Sequence, residues 1–233
     1  MGECGLLVIF YWFVFHWTNT SSSICISVSA MSSEHYFSET PGSDYKPKEI
    51  QVEIDGRPVS VLTAGGVFSP DHIDTGTQVL LDYLDEAPPS GNILDIGCGW
   101  GPIALSLAMH SPKATIWAVD VNERSLELTK LNAARLGLTN IKVVKPEEVP
   151  TELRFDGIWS NPPIRVGKDA LHELLLHWLP TLEVSADAFL VVQKNLGADS
   201  LHRWLETELP EEFSTIRVET SKSFRVLRVK RKA

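Results

Sequence analysis

The spacing of hydrophobic and polar residues changes several times along the chain. Residues 49–54 and 58–63 alternate on either side of Asp55-Gly56, the pattern of two strands joined by a tight hairpin turn. Residues 74–84 switch to helical spacing and stop before Pro88-Pro89. Short apolar runs then alternate with helical ones. Strands are predicted at 92–96, 114–120, 141–144, 155–160 and 189–193. Helices are predicted at 102–110, 122–136 (stopped by Gly137), 171–182 and 200–209. Two closing strands, 215–218 and 224–229, have no helix between them and should pair antiparallel. Regular β-α alternation implies an α/β fold. The expectation is a Rossmann-like, seven-stranded, mostly parallel sheet with helices on both faces, preceded by a small β-hairpin.

The first thirty residues do not fit this pattern. Residues 6–17 are strongly apolar but fall short of the roughly twenty residues that span a bilayer. No basic residue precedes them, as a secretory signal would require. Residues 1–30 are therefore read as an apolar extension that is not native to the folded protein, produced by a start codon placed upstream of Met31. Residues 31–233 are read as one domain. No stable membrane contact is expected, and the location is read as cytoplasmic.

The chain has 233 residues and a net charge of −9, which argues against a protein that coats nucleic acid non-specifically. A local grip remains open, because Lys222, Arg225, Arg228, Lys230, Arg231 and Lys232 cluster near the end. The simpler reading is a solvated edge strand with a charged tail. Cys4, Cys25 and Cys98 show no paired spacing, and His172 and His177 do not share a helix face. No metal site is expected.

The chemistry concentrates in two loops. Asp95-Ile96-Gly97-Cys98-Gly99-Trp100-Gly101 follows the first strand of the sheet and opens a helix. Its glycines let the backbone turn sharply and approach a ligand closely. The second strand ends at Asp120, whose carboxylate can accept both hydroxyls of a ribose, with Val121 and Asn122 flanking the attached base. Nicotinamide enzymes share this layout, but the spacing here is G-x-G-x-G. Asp95 would also repel a pyrophosphate, whereas it can receive the ammonium of S-adenosylmethionine. The second loop, Asn161-Pro162-Pro163-Ile164, follows the fourth strand and should face the same crevice. An exocyclic or amide nitrogen is a poor nucleophile because its lone pair is delocalised. The Asn161 side-chain carbonyl and the Pro162 backbone carbonyl can each accept one of its hydrogens, on a loop that the prolines stiffen. Anywhere else, Asn-Pro-Pro would read as a rigid turn.

Together these segments carry a resemblance. The motifs are His35-Tyr36-Phe37-Ser38-Glu39, Gly66-Val67-Phe68-Ser69, Asp74-Thr75-Gly76-Thr77, Leu94-Asp95-Ile96-Gly97-Cys98-Gly99, Asp120-Val121-Asn122, Ser160-Asn161-Pro162-Pro163 and Phe224-Arg225-Val226-Leu227-Arg228. From about residue 35 to 230 the chain resembles the small-subunit ribosomal RNA guanine-N2 methyltransferases and their single-domain relatives. The resemblance implies a methyltransferase domain at 31–233 that uses S-adenosylmethionine. The substrate it implies is ribosomal RNA or the small ribosomal subunit, methylated on a guanine amine of 16S RNA. It also implies that Asp95, Gly97, Gly99, Asp120 and Asn122 bind the cofactor, with Glu147 near the adenine, and that Asn161 holds the target amine. Two departures stand out. The chain is too short for the extra amino-terminal domain of larger members. Ile164 stands where many Asn-Pro-Pro enzymes carry an aromatic residue that stacks on the base. Arg165 and Lys168, just beyond, are candidates for phosphate contact. The rival readings are a protein glutamine-amide methyltransferase, a nicotinamide-dependent oxidoreductase and a non-catalytic binding module.

Overall fold

The structure is a computed structural model, and it describes residues 45–221 and 223–233, with nothing described of the Arg165 side chain. The 1–30 extension, Cys4, Cys25 and the His35–Glu39 motif lie outside these residues. A hairpin comes first, β1 (Lys48–Ile54) against β2 (Arg57–Thr63). Asp55 and Gly56 both have positive φ, 49° and 71°, as a two-residue mirror-image turn requires. Helix α1 (Thr75–Leu81) follows, then β3 (Ser90–Ile96), α2 (Pro102–His110), β4 (Lys113–Val119), α3 (Glu123–Arg135), β5 (Ile141–Val144) and β6 (Phe155–Ser160). The chain continues through α4 (Lys168–Trp178), β7 (Leu182–Gln193), α5 (Ala198–Glu208), β8 (Phe213–Ser221) and β9 (Phe224–Arg231).

Strands β3 to β9 form one seven-stranded sheet in the order β5-β4-β3-β6-β7-β9-β8. β9 alone runs against its neighbours, lying antiparallel between β7 and β8. Alternate residues of each strand feed opposite cores. On one face Leu94, Ile96, Phe155 and Ile158 pack with Leu171, Leu175 and Trp178 of α4 and Leu201 and Leu205 of α5. On the other, Ile93, Ile116, Trp159 and Phe189 pack with Val79 and Leu80 of α1, Ile103 and Leu107 of α2 and Leu126 of α3. A third cluster joins the hairpin to α2 and α3 through Ile54, Val61, Val67, Trp100, Leu105 and Leu128. Buried Asn132 stitches this junction. Its Oδ1 accepts from Leu62 N at 2.6 Å, and its Nδ2 donates to the carbonyls of Leu62 and Trp100 at 2.8 and 2.9 Å.

The fold matches the class expected from the alternation. Several boundaries differ, β8 among them, which runs from Phe213 to Ser221 against the expected 215–218. The helix predicted at 74–84 is a short helix of about two turns ending at Leu81, followed by a 3-10 turn at Leu84–Glu86. The helix predicted at 171–182 begins at Lys168 and ends at Trp178, where Pro180 breaks the ladder. β7 therefore starts at Leu182, seven residues before the predicted 189.

Candidate active site

In a doubly wound sheet the ligand crevice lies at the carboxyl ends of the strands, where chain direction across the sheet reverses. Here that point falls between β3 and β6, whose register pairs Asp95 with Trp159. β3 runs into the glycine loop and β6 into Asn161-Pro162-Pro163. Ser160 Oγ donates to Ile96 O at 2.8 Å, so both loops leave the sheet from one pinned point.

The glycine loop is folded back on β4. Gly97 N and Cys98 N both donate to Val119 O, at 2.8 and 3.0 Å, and Gly99 N donates to Asp120 Oδ2 at 3.0 Å. Gly99 holds φ at +58°, and a Cβ on it or on Gly97 would meet no atom of the described residues within 4 Å. The loop thus presents bare backbone to open space. Gly101 serves packing instead: a Cβ there would press on Thr129 at 3.1 Å.

Three of the predicted positions turn inward. Asp95 is fully buried, and its Oδ2 accepts from Ala104 N at 2.9 Å, capping α2 where Gly101 offers no side chain. Its Oδ1 has no hydrogen-bond partner among the described residues. Burial pushes this carboxyl well above its ordinary range, against the Ala104 N–H, with the Asp120 charge adding to the rise. Cys98 packs into the core with its Sγ 3.7 Å from Thr129 Oγ1, and burial raises its thiol. Asn122 is buried as the N-cap of α3: its Oδ1 accepts from Arg124 N, and its Nδ2 donates to Gly66 O, both at 3.0 Å. Asp120 remains at the cleft wall. Its Oδ1 accepts from Asn122 N at 2.9 Å, and burial raises it despite these backbone donors. Val121 lies beside it, 44% exposed. Glu147 sits exposed on a 3-10 turn after β5 and is not among the residues lining the cleft.

Opposite the glycine loop stands Asn161. Its Nδ2 donates to Asp74 Oδ2 at 3.1 Å and to Thr77 Oγ1 at 3.0 Å, residues at the start of α1. Pro162, Pro163 and Ile164 continue the same wall. The cleft therefore gathers Gly97, Gly99, Asp120, Asn161, Pro162 and Pro163 as the sequence reading expected. It also takes in Phe68, Asp74, Gln193, Leu196 and Phe224, to which that reading gave no role in the site. Phe68 is 43% exposed, yet its loop is staked on both sides: Asn122 holds Gly66 O, and Trp100 Nε1 donates to Ser69 O at 3.1 Å. A larger depression of about 580 Å³ opens near His110, at the far end of α2 from the glycine loop, and is lined by residues such as Glu53, Asp82 and His72. It lies away from the strand carboxyl ends and shares no lining residue with the cleft.

The carboxy-terminal basic cluster is partly neutralised, at Arg225, Arg228 and Lys230. Asp187 pairs with Arg228 (2.7 Å) and Lys230 (3.7 Å), and Asp199 pairs with Arg217 (2.9 Å) and Arg225 (3.1 Å). No group of His, Cys, Asp and Glu suited to a metal ion is found among the described residues. No described helix is long and apolar enough to cross a membrane.

With this geometry in view, comparison with known proteins is decisive for family. The methyltransferase small domain matches residues 58–228. The chain belongs to that methyltransferase family. An uncharacterized Bacillus subtilis protein, YbxB, is 36% identical over 202 residues, covering 85% of this chain and 99% of its own length. The ribosomal RNA small subunit methyltransferase C of Acinetobacter baumannii is 33% identical over 159 residues, 64% of this methyltransferase and 46% of that one. The chain thus spans about half the length of the methyltransferase C relatives it matches. Among solved structures, the Thermus thermophilus 16S rRNA N2 methyltransferase RsmC, in complex with AdoMet and guanosine, superposes with a TM-score of 0.67 at 23% identity. It covers 82% of this chain and 52% of that one. These matches bear out the family read from the motifs.

Proposed function

We propose that this methyltransferase transfers a methyl group from S-adenosylmethionine to the exocyclic amine of a guanine in 16S ribosomal RNA. S-adenosylmethionine is the cofactor, and when bound it supplies an electrophilic methyl group on a positive sulfonium. The residues present fit it. Gly97 and Gly99 leave backbone facing open space, and Asp95 carries a buried carboxylate oxygen with no partner among the described residues, which suits a site built for a cation. In this reading Gly97, Gly99 and the Asp120 carboxylate hold the cofactor, with Asp120 accepting ribose hydroxyls through lone pairs that Gly99 and Asn122 leave over. Val121 offers the base an apolar edge. Asp95 acts from beneath the loop, through charge and by capping α2. Cys98, Gly101 and Asn122 shape the loop from inside, and Glu147, exposed just past β5, is assigned no contact.

The observation that carries the proposal is the convergence of Asn161 and the glycine loop on one cleft, from two adjacent strands joined by Ser160. Asn161 Oδ1 and the Pro162 carbonyl accept the two hydrogens of the target amine and turn its lone pair inward. Positioning of this kind supplies several kcal/mol of the barrier. The proton leaves after transfer, so no strong base is required. A guanine must be flipped out of its stack to enter. Phe68 and Ile164 then offer it apolar walls, and the exposed Lys168 and Lys194 lie near enough in sequence to meet backbone phosphates. The protein acts in the cytoplasm, where the RNA and the cofactor meet.

The test is to map N2-methylguanine in 16S RNA from cells with and without the protein, then to restore the mark in vitro with purified protein and 30S particles. Loss and restoration at one guanine supports the proposal. An unchanged guanine map together with N5-methylglutamine formation in a protein would replace it.

A further inference from the structure

We propose that Asp74 and Thr77 are positioning residues that lock the orientation of the Asn161 side-chain amide for methyl transfer. The inference rests on the assignment of Asn161 to the target amine. It starts from a chemical constraint. A carboxylate has no hydrogen to give, so the edge of Asn161 that meets Asp74 must be its NH2 group. Both N–H bonds are used, one on Asp74 Oδ2 and one on Thr77 Oγ1. The carbonyl Oδ1 is then the edge left without a protein partner among the described residues. An unheld amide could rotate by half a turn and present hydrogens to an amine that needs acceptors. Asp74 and Thr77 exclude that rotamer. Donation to an anion also polarises the amide and strengthens its oxygen as an acceptor.

The clamp is itself held firmly. The same Asp74 Oδ2 accepts from Gly76 N at 2.8 Å and Thr77 N at 3.4 Å as the N-cap of α1. The Phe224 ring closes over Gly76, where a Cβ would approach it to 2.8 Å. Thr77 is only 3% exposed. Asp74 and Asn161 are 87 residues apart, so their contact is made only in the folded chain.

The test separates clamp from scaffold in the full-length protein. Asp74→Ser keeps a good N-cap but is too short to reach Asn161. It is expected to lower kcat at least tenfold while S-adenosylmethionine affinity stays within twofold. Thr77→Val should lower kcat several-fold, and Thr77→Ser should restore it. The discriminating pair is Asn161→Asp, which faces Asp74 with a second carboxylate and should be inactive, and the double variant with Asp74→Asn. In the double variant the new amide donates to one oxygen of the carboxylate at 161 and leaves the other for the amine. A gain of at least tenfold over Asn161→Asp alone is expected. No gain, or an Asp74→Ser variant that keeps more than half the wild-type kcat, overturns the proposal. A readout free of substrate is the side-chain 15N–1H signal of Asn161, assigned by its loss in Asn161→Ala. Both protons should shift in Asp74→Ser and Thr77→Val, and unchanged signals would overturn the clamp. If the wild type does not methylate ribosomal RNA, the substrate assignment fails, and these signals still decide whether Asp74 and Thr77 hold Asn161.

Discussion

Replacing Asn161 by alanine removes two things that can be measured apart. The first is an acceptor at the reacting nitrogen. Losing one preorganised polar partner at such a centre costs on the order of a hundredfold in rate, or about 2.7 kcal/mol of barrier at 1.36 kcal/mol per tenfold. The second is a structural tie, because Nδ2 bonds Asp74 and Thr77 across the cleft. Those two bonds are partly buried, and water can take over some of their role. A stability loss of up to about 2 kcal/mol is expected, a fall in Tm of about 4–8 °C for a domain of this size. The cofactor wall, Gly97, Gly99 and Asp120, is not touched by the change. The expected result is kcat down about a hundredfold or more on 16S RNA or 30S particles at saturating cofactor, with the calorimetric Kd for S-adenosylmethionine within twofold. A variant that keeps more than about half the wild-type rate would reduce Asn161-Pro162-Pro163 to a structural turn.

Further expectations concern the cofactor wall, the substrate wall and the amino terminus. Burial raises the carboxyls of Asp95 and Asp120, so the ligand-free fold loses stability as pH rises from about 4 through the raised values. A cationic cofactor favours the ionised forms, so its affinity should climb over the same window and binding should release protons. Titration calorimetry in buffers of different ionisation heat checks this, and proton uptake would refute it. Gly99→Ala should cost about 1–2 kcal/mol for the left-handed backbone but weaken the cofactor at least tenfold, because the methyl projects into the cleft and not into protein; thermal melts and calorimetry separate the two. Phe68→Ala should raise KM for RNA several-fold and leave the cofactor Kd within twofold, which steady-state kinetics on 30S particles decides. A chain beginning at Met31 should melt and bind cofactor as the full chain does, since the described cores draw on residues from Ile50 onward; a lost melting transition would end that expectation.

The sheet was readable wherever local chemistry marks an end. Asp55-Gly56 forces a turn, Gly101 and Pro102 start α2, and Gly137 stops α3, so those boundaries fall within a residue or two of expectation. β7 was truncated in the reading because its first half, Glu183 to Ser185, is exposed and carries no apolar run. Leu182 pairs with Phe155 of β6 before a register break, and regular pairing with β6 and β9 resumes at Asp187, a long-range arrangement that spacing along one chain does not reveal. The site divides in the same way. Asn161, the glycines and Asp120 announce themselves because their chemistry is compressed into short motifs. Asp74 reads from its spacing as the first residue of a helix and is in fact its N-cap, while its bond to Asn161 depends on a partner 87 residues away. Phe68 was visible only as part of a motif, although an aromatic residue between Gly65-Gly66 and Ser69-Pro70 is a signal of a displayed side chain. The basic cluster reads most simply as a solvated edge strand with a charged tail, and the ion pairs that Arg225 and Arg228 make depend on Asp199 and Asp187, which other elements supply.

The placement of β9 bears on how a nascent chain acquires activity. The last described strand in chain order does not lie at a margin: it fills the gap between β7 and β8, and without it β7 has an open edge and β8 no partner among the described strands. Its first residue, Phe224, also rests on Gly76 and lines the cleft. A ribosome-bound chain lacking these residues holds every motif of the cofactor loop and the Asn-Pro-Pro loop, yet has neither a closed sheet nor a finished cleft. Competence to methylate thus arrives in one step, after translation has passed β9.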